Sequence, residues 1–329
     1  MSYITKFLKL LAKIWIVVTS VIGSLFAIAL IALVVIGTST SKELPTYPTR
    51  TVTSGGSEKV AIIPLSGDIV AEDTNNDPLA FSSGVISAKK VIPLLDHVMN
   101  DDEIKAVVLK VNSPGGGVVA SDEIYRKVKE LKAKKPVIVS FGDMAASGGY
   151  YISAGATEII ANPATITGSI GVIAQFPQYN DLLNKLGVQM RTIKSGEFKD
   201  IGSPQRPMTD SEKQIFQSMI NEAYDQFVHA IADGRNMDEA KVRQIADGRI
   251  YTGKQAKENG LVNELGTVDT AINRAKTLAD IKDPTVVEYT ERGFFESLLS
   301  SSLQKINPLA TLSSNLPQTH SGIYYLMSF

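Results

Sequence analysis

The chain has 329 residues, with 33 Lys and Arg against 34 Asp and Glu, so its formal net charge is −1. That balance argues against nucleic acid as the main partner, because phosphate binding usually needs an excess or a stripe of basic residues. The absence of Cys excludes disulfides, iron–sulfur clusters, Cys-ligated zinc and a thiol nucleophile. The histidines, His97, His229 and His320, stand far apart in no ligand spacing, so we expect no metal site.

A long apolar run near the N-terminus predicts a membrane anchor. Residues 14–36 carry no charged side chain and would span about 33 Å as a helix, enough for a hydrocarbon core of about 30 Å. Lysines precede the run, so the positive-inside rule places the short segment 1–13 in the cytoplasm and the remainder of the chain on the other side of the cell membrane. A cleaved signal peptide is the alternative, but its apolar region is normally only about 7–15 residues long. We therefore predict an uncleaved, single-pass anchor at 14–37.

Beyond the anchor, composition predicts a Ser-, Thr-, Pro- and Gly-rich linker at 38–58 and one folded domain at 59–289. Apolar runs alternate there with amphipathic stretches, which predicts parallel βα units and an α/β fold. Pro93 suggests that the first turn of the first helix starts late. The predicted strands are 60–65, 106–111, 136–140, 159–161 and 286–289, and the predicted helices are 87–99, 121–132, 209–232 and 238–246.

Two glycine-rich turns each follow a predicted strand, where open α/β sheets place their ligand sites. One turn is 113–117, and the other, 145–149, carries Ser147 among alanines and glycines. Ser147 could present its hydroxyl at a helix N-terminus, and the N–H groups of Gly116 and Gly148 could then form an oxyanion hole. Alternatively, Ser147 only caps the helix and both loops are ordinary tight turns. A phosphate-binding loop is disfavoured because neither a Gly-Lys-Ser/Thr ending nor a G-x-G-x-x-G context is present.

A serine nucleophile needs a base, and no histidine has a neighbourhood that suggests one. The segment 192–202 offers Lys194 and Lys199 near flexible glycines. A lysine acts as a base only when it is neutral, which requires its pKa to fall from ~10.4 towards ~7, roughly 4–5 kcal/mol of environment that burial can supply. Lys199 follows Phe198 and is a candidate. A single lysine is nevertheless usually a solvated surface residue, and the residues alone do not select Lys199 over Lys194.

Five motifs occur in order along the chain: Asn112-Ser113-Pro114-Gly115-Gly116, Met144-Ala145-Ala146-Ser147-Gly148-Gly149-Tyr150, Thr167-Gly168-Ser169-Ile170-Gly171-Val172, Ser195-Gly196-Glu197-Phe198-Lys199 and Gly248-Arg249-Ile250-Tyr251-Thr252-Gly253. In these motifs the chain resembles signal peptide peptidase A, a family of bacterial membrane-anchored Ser/Lys proteases, in its short single-repeat form. The resemblance covers about 59–289 and the preceding anchor. Two of the motifs, Pro-Gly-Gly and Ala-Ala-Ser, are shared with the wider ClpP/crotonase group, so a ClpP/crotonase-like fold of repeated ββα units is implied.

The resemblance implies a role for five residues. Ser147 is the expected nucleophile, and Lys199 is the expected general base, which takes the Ser147 proton and later passes it to the leaving amine. Gly116 and Gly148 match the backbone oxyanion donors. Ser169 matches a serine whose hydroxyl helps to hold the lysine amine. The implied reaction is hydrolysis of remnant signal peptides and other apolar peptides after their release from preproteins, with no metal, nucleotide or other cofactor.

The resemblance also implies an assembly. Long tandem relatives divide the lysine and the serine between two repeats, whereas this chain holds both in one repeat. A homo-oligomeric ring, an octamer, is therefore implied, in which Ser147 of one subunit meets Lys199 of its neighbour. Two other functions remain open: acyl-CoA hydration or isomerisation on the same fold, which would require CoA and a cytoplasmic domain, and a non-enzymatic membrane scaffold in which Ser147 is structural.

The C-terminal extension, 290–329, ends in an apolar run from Ile323 that a Pro- and Ser-rich segment tethers to the domain. Such a run is similar to a substrate and could enter a catalytic groove as a self-inhibitor or as a self-substrate. Alternatively, it is a flexible end, or an end that lies on the membrane.

Overall fold

The computed structural model describes residues 47–72 and 84–290, the backbone of Gly322–Leu326, and five isolated helical residues between 13 and 23. The chain divides into two compact units, Met1–Thr46 and Tyr47–Phe329. No helix among the described residues has the length and apolar character that crossing a membrane requires. The predicted segment 1–13 and anchor at 14–37 lie almost wholly outside the described residues, as does most of the predicted extension at 290–329.

The second unit is built on a mostly parallel sheet. Within the described residues this sheet has nine strands, and every adjacent pair along its main path is parallel except the first. In spatial order the path runs through β1 (Thr49–Thr53), β13 (Pro284–Tyr289), β2 (Gly56–Ser66), β5 (Ile104–Ser113), β7 (Val137–Ala146), β8 (Glu158–Ala161) and β12 (Glu264–Leu265). Two short strands, β9 (Ile166–Gly168) and β11 (Ile250–Thr252), continue the sheet beside the end of β7. The five predicted strands are confirmed as β2, β5, β7, β8 and β13.

Helices cover both faces of this sheet, as the apolar strand runs require. In β5, Val107 and Leu109 belong to the large core, whereas Ala106 and Val108 point to the other face, into a smaller cluster with Ala271. Within 47–72 and 84–290 the helices are α1 (Ala88–Asn100), α2 (Val118–Lys132), α3 (Gly148–Ala154), α4 (Asn180–Lys185), α5 (Asp210–Arg235), α6 (Glu239–Ile245), α7 (Gly253–Glu258) and α8 (Val268–Leu278). The α/β fold class is therefore confirmed, and α1, α2, α5 and α6 are the predicted helices.

A second, smaller sheet lies where the main strands end. Its order is β10 (Ile173–Gln175), β14 (Gly322–Leu326), β6 (Gly115–Gly117), β3 (Asp68–Val70) and β4 (Val85–Ser87). Because β3 follows β2 and β6 follows β5 directly along the chain, this sheet stands at the carboxyl ends of the parallel strands. The backbone of β14 pairs antiparallel with both β6 and β10. The edge at which α/β folds bind ligands thus carries its own sheet.

Apart from short strands and helices that were not predicted, the fold differs from the prediction at two places. It begins before residue 59, because β1 and the start of β2 lie within the predicted linker. All five β1 residues are exposed, so this edge strand has no apolar pattern to detect, and it is held by pairing with β13 and by Arg50 bonded to Glu288. The late start of α1 is also wrong: the helix begins at Ala88. Pro93 is exposed on its outer side, where water can solvate the carbonyl of Lys89 that loses its intrahelical partner.

Candidate active site

Ser147 occupies the sharp corner between β7 and α3. Its backbone has φ 52° and ψ −118°, a conformation that costs an L-residue about 1–3 kcal/mol. Its side chain is 1% exposed, and its Oγ has no hydrogen-bond partner among the described residues. In particular, although Ser147 occupies the N-cap position of α3, its side chain makes no capping bond, which argues against a serine that only caps its helix. The corner holds a hydroxyl in a strained position with no bond of its own.

Close packing explains why small residues surround this serine. The Ser147 N–H donates to the carbonyl of Gly168 (2.8 Å), at the end of β9. A Cβ placed on Gly148 would lie 2.7 Å from Oγ of Ser121, and one placed on Gly149 would lie 2.8 Å from the carbonyl oxygen of Ser113. Any larger side chain at 148 or 149 would therefore separate the corner from β5 and α2. The small-residue sequence is needed to bring the two glycine-rich turns together.

The first glycine turn lies against the second. Gly116 has φ 157°, and a Cβ there would lie only 2.1 Å from the carbonyl oxygen of Ile69 in β3. The nitrogen of Gly116 is 3.1 Å from the position of a Cβ on Gly148. The backbones of Gly116 and Gly148 are thus neighbours beside Ser147, as two donors to one oxyanion would have to be. Their role as oxyanion donors stays a prediction.

Ser169 lies next to the residue that contacts the Ser147 backbone. It directly follows Gly168, the residue whose carbonyl accepts the Ser147 N–H, and its own N–H donates to the carbonyl of Arg249 at 2.8 Å. Its φ of 50° marks a second backbone turn that side chains rarely adopt. Ser169 is partly exposed and lines a cavity of about 820 Å³ together with Ile173 and Tyr224, among other residues. Ser169 thus belongs both to the segment that contacts Ser147 and to the lining of this cavity.

Lys199 does not join this group within one chain. It lies in the turns between α4 and α5, and its side chain is exposed. Ser147 Oγ has no hydrogen-bond partner in the part of the chain that the structure describes, so Lys199 does not contact it there. The structure nevertheless separates the two candidate lysines. Lys194 Nζ donates to Oδ1 of Asp200 and to the carbonyl of Glu197, both at 2.7 Å. Lys199 Nζ makes no such bond within the described part of the chain.

A strand of the C-terminal extension runs beside Ser147. In β14, Tyr325 is opposite Gly116 and Tyr324 is opposite both Gly117 and Ile173. The backbone of β14 is therefore held by β6 on one side and by β10 on the other. An extended segment therefore lies between the glycine turn and the strand that follows Ser169. This agrees with the predicted entry of the C-terminal run into the groove, while its role as inhibitor or substrate stays a prediction.

Comparison with known proteins identifies the family. A model described as Peptidase family S49 matches residues 129–282, and a Clp protease model matches 82–167. A putative protease of Methanocaldococcus jannaschii is 45% identical over 234 residues, which are 71% of this chain and 75% of that protein. A putative signal peptide peptidase SppA of Enterococcus faecium is 41% identical, with 81% and 78% of the two chains covered.

The chain belongs to peptidase family S49. It is an SppA-like serine protease with a ClpP-like α/β fold, as the sequence predicts. Protease 4 of Haemophilus influenzae is a longer relative, 35% identical over 70% of this chain but only 36% of its own length. The S49 match contains Ser147, Ser169 and Lys199, and the Clp match contains Gly116, Ser147 and Gly148.

One group of polar residues near Lys199 in this S49 protease was missed by the sequence reasoning. Arg206 bonds the carboxylates of both Asp200 and Glu212. The bonds from Arg206 and Lys194 hold the pKa of Asp200 well below its usual range. The bonds from Arg206 lower the pKa of Glu212 to about 2. The Thr-x-x-Glu pattern at 209–212 is a capping-box signature and could have identified Glu212. No local pattern marks Arg206.

Proposed function

We propose that this S49 protease hydrolyses peptide bonds with Ser147 as nucleophile and Lys199 of a neighbouring subunit as general base. Neutral Lys199 Nζ takes the Ser147 proton while Oγ attacks the carbonyl carbon. The resulting oxyanion receives hydrogen bonds from the N–H groups of Gly116 and Gly148. The lysine then gives the proton to the departing amine, and afterwards activates the water that cleaves the acyl-enzyme. The Ser169 hydroxyl helps to orient the lysine amine.

One observation carries this proposal: Ser147 is strained, buried and without a hydrogen-bond partner among the described residues. Backbone strain of this kind persists only where the surroundings impose it, and it is concentrated at functional sites. A serine with a merely structural role would be expected to use its hydroxyl for a cap or a core hydrogen bond. Ser147 does neither, which argues against the scaffold alternative.

The pairing of β14 favours a peptide as the substrate. Its backbone lies antiparallel between β6 and β10, with Tyr325 opposite Gly116. Strand addition of this kind is a common way for a protein to bind an extended peptide through its main chain. The observation favours peptide hydrolysis over acyl-CoA chemistry. By family resemblance, the proposed substrates are signal peptides released into the membrane and other apolar peptides.

We infer a homo-oligomer because Lys199 and the residues before it are exposed. Among those residues, Leu182, Leu186, Met190 and Ile193 are exposed by 58%, 67%, 56% and 101%. Several exposed apolar side chains within one short segment are typical of a protein interface. A second copy of the chain would cover them and bring Lys199 to a neighbouring Ser147. The family resemblance suggests a ring of eight copies.

The proposed location is the outer side of the cell membrane, with the chain anchored through 14–37. The sequence supports it by the uncharged run at 14–36 and the lysines that precede that run. An anchor would keep the catalytic domain close to signal peptides, which are themselves apolar and remain in the membrane.

A serine-directed phosphonate probe tests the nucleophile. We expect the assembled full-length protein to lose peptidase activity and to gain one probe mass, located on Ser147 by peptide mass spectrometry. Ser147→Ala should not be labelled. Ser153→Ala is the matched control, because this buried α3 serine already donates to the carbonyl of Gly149 at 2.7 Å and should not affect labelling. Labelling of Ser147→Ala at full extent would refute the assignment.

A further inference from the structure

Lys199 is followed directly by a carboxylate, Asp200. This neighbour is unfavourable for a general base. An ion pair between the two would stabilise the charged amine, whereas proton abstraction from Ser147 requires the neutral amine. The structure shows how the pair is avoided.

Both oxygens of the Asp200 carboxylate are engaged elsewhere. Oδ1 accepts from Lys194 Nζ at 2.7 Å and from Arg206 Nη2 at 2.8 Å, and Oδ2 accepts from Arg206 Nε at 2.9 Å. Arg206 Nη2 also donates to the Asp200 backbone carbonyl at 3.2 Å. The side chain of Asp200 is only 15% exposed. It is therefore fixed in contact with two cations, while the amine of Lys199 makes no bond within the described residues.

Arg206 is itself held by α5. Its Nη1 donates to Oε2 of Glu212 at 2.9 Å, and its Nη2 contacts Oε1 of the same carboxylate. The Glu212 side chain is 2% exposed and also accepts the backbone N–H of Thr209 at 2.9 Å, as part of the capping box that begins the helix. The position of the guanidinium is thus defined by the longest helix of the described residues.

Among the described residues, the ion pairs of the Lys199 segment are made by residues of that segment and of the first turn of α5. Two cations and two carboxylates neutralise one another there: Asp200 pairs with Lys194 and Arg206, and Glu212 pairs with Arg206. Of the remaining groups, Asp210 and Lys213 pair with each other at 3.0 Å, and Glu197 is exposed to solvent.

We propose that Arg206, with Lys194, withdraws the Asp200 carboxylate from Lys199 and so acts as a positioning residue that keeps the general base unpaired. The proposal rests on the proposed function, because it assumes that Lys199 is the base. Arg206 touches neither substrate nor the reacting atoms. Arg206 acts by holding the Asp200 carboxylate, which would otherwise pair with Lys199.

The test is the pH dependence of kcat/KM on an apolar peptide, measured on the assembled full-length protein. In Arg206→Gln, Asp200 becomes free to pair with Lys199, so we expect the acidic limb to move upward by about one pH unit. Activity below the limb then falls about tenfold, while the alkaline plateau is kept. The double variant Arg206→Gln with Asp200→Asn should bring the limb back to the wild-type position. Arg243→Gln is the matched control, because it breaks an arginine–carboxylate bond of 2.8 Å to Asp225 on the same helix.

An unmoved limb in Arg206→Gln, or a moved limb that persists in the double variant, overturns the proposal. If Arg206→Gln does not assemble, Lys194→Met removes the other cation from Asp200 and should move the limb in the same direction by a smaller amount. Lys199→Ala separates this proposal from the function beneath it. Full activity of that variant refutes Lys199 as the base, whereas inactivity together with an unmoved limb in Arg206→Gln refutes only the role of Arg206.

Discussion

Ser147 and Lys199 lie in parts of the molecule that differ in burial and in the forces that hold them. Around Ser147, Ala145 and Ala146 are fully buried, and the corner is fixed by a backbone hydrogen bond and by glycines that pack without space for a Cβ. Around Lys199 the chain is exposed, and side-chain ion pairs centred on Arg206 hold it.

Within a single chain, therefore, only the serine part of the proposed site is already formed. The Ser147 corner has its strain, its neighbouring N–H groups and its groove already in place. The Lys199 segment is ordered by its ion pairs, but within the described residues Lys199 makes no contact with Ser147. We therefore expect the corner to be sensitive to added atoms, and the lysine segment to be sensitive to assembly and to pH.

The largest effect is expected at Ser147. Ser147→Ala and Ser147→Gly should each lower kcat by at least about 10⁴-fold, because both remove the nucleophile. Their stabilities should differ. Glycine adopts φ 52° without the Cβ penalty, so Ser147→Gly should be more stable than Ser147→Ala by about 1 kcal/mol. Thermal unfolding of the two proteins in the same detergent measures this. Equal stability would mean that the corner is not strained.

Mixed assemblies test whether the second half of the site comes from another chain. Ser147→Ala and Lys199→Ala should each be inactive alone. Assembled together in equal amounts, they should recover about one quarter of wild-type activity, because random neighbours pair an intact serine with an intact lysine in about a quarter of the interfaces. Assembly is checked by light scattering. Well-formed mixed assemblies without activity would show that the lysine and the serine of one chain must act together.

A smaller loss is expected at the oxyanion turn. In Gly148→Ala the new methyl group meets Ser121 Oγ at 2.7 Å and the nitrogen of Gly116 at 3.1 Å. We expect kcat to fall about 10²-fold, the usual effect of losing an oxyanion donor, with KM changed less. Adding Ser121→Ala removes the first contact but not the second. It should therefore recover thermal stability without recovering kcat, and recovery of both would mean that only packing was lost.

The same comparison explains what the sequence could reveal. The Ser147 corner is encoded locally, by an apolar strand followed by residues small enough for close packing, so the sequence predicts it. The choice between Lys194 and Lys199 has no such sequence pattern, because it depends on how Lys194 and Arg206 bond Asp200 in the folded turns. Strand β6 was not predicted, because its three glycines have no preference for strand structure. These glycines form a strand because the backbone of Gly116 passes close to that of Ile69.

The smallest effect is expected from acid, and it should act on the lysine side of the comparison. Arg206 and the Thr209 backbone lower the pKa of Glu212 from 4.5 to about 2. A carboxylate with a lowered pKa stabilises the fold fully above its usual pKa, and that contribution is lost as the pH falls through the lowered value. At pH 7 the unfolding temperature of the wild type should therefore be a few degrees higher than that of Glu212→Gln. This difference in unfolding temperature should disappear as the pH falls from 4.5 to about 2.

Asp210→Asn is the control for the acid experiment, because Asp210 lies on the same helical turn but its side chain is 92% exposed, so its replacement should open no comparable gap. Ser147→Gly is the second reference, since backbone hydrogen bonds and packing hold its corner and no titrating group contacts Ser147 Oγ within the described residues. Its stability difference from Ser147→Ala should stay constant over the same pH range. If the difference in unfolding temperature between wild type and Glu212→Gln stayed constant down to pH 2, packing rather than the charge on Glu212 would hold the Lys199 segment against α5.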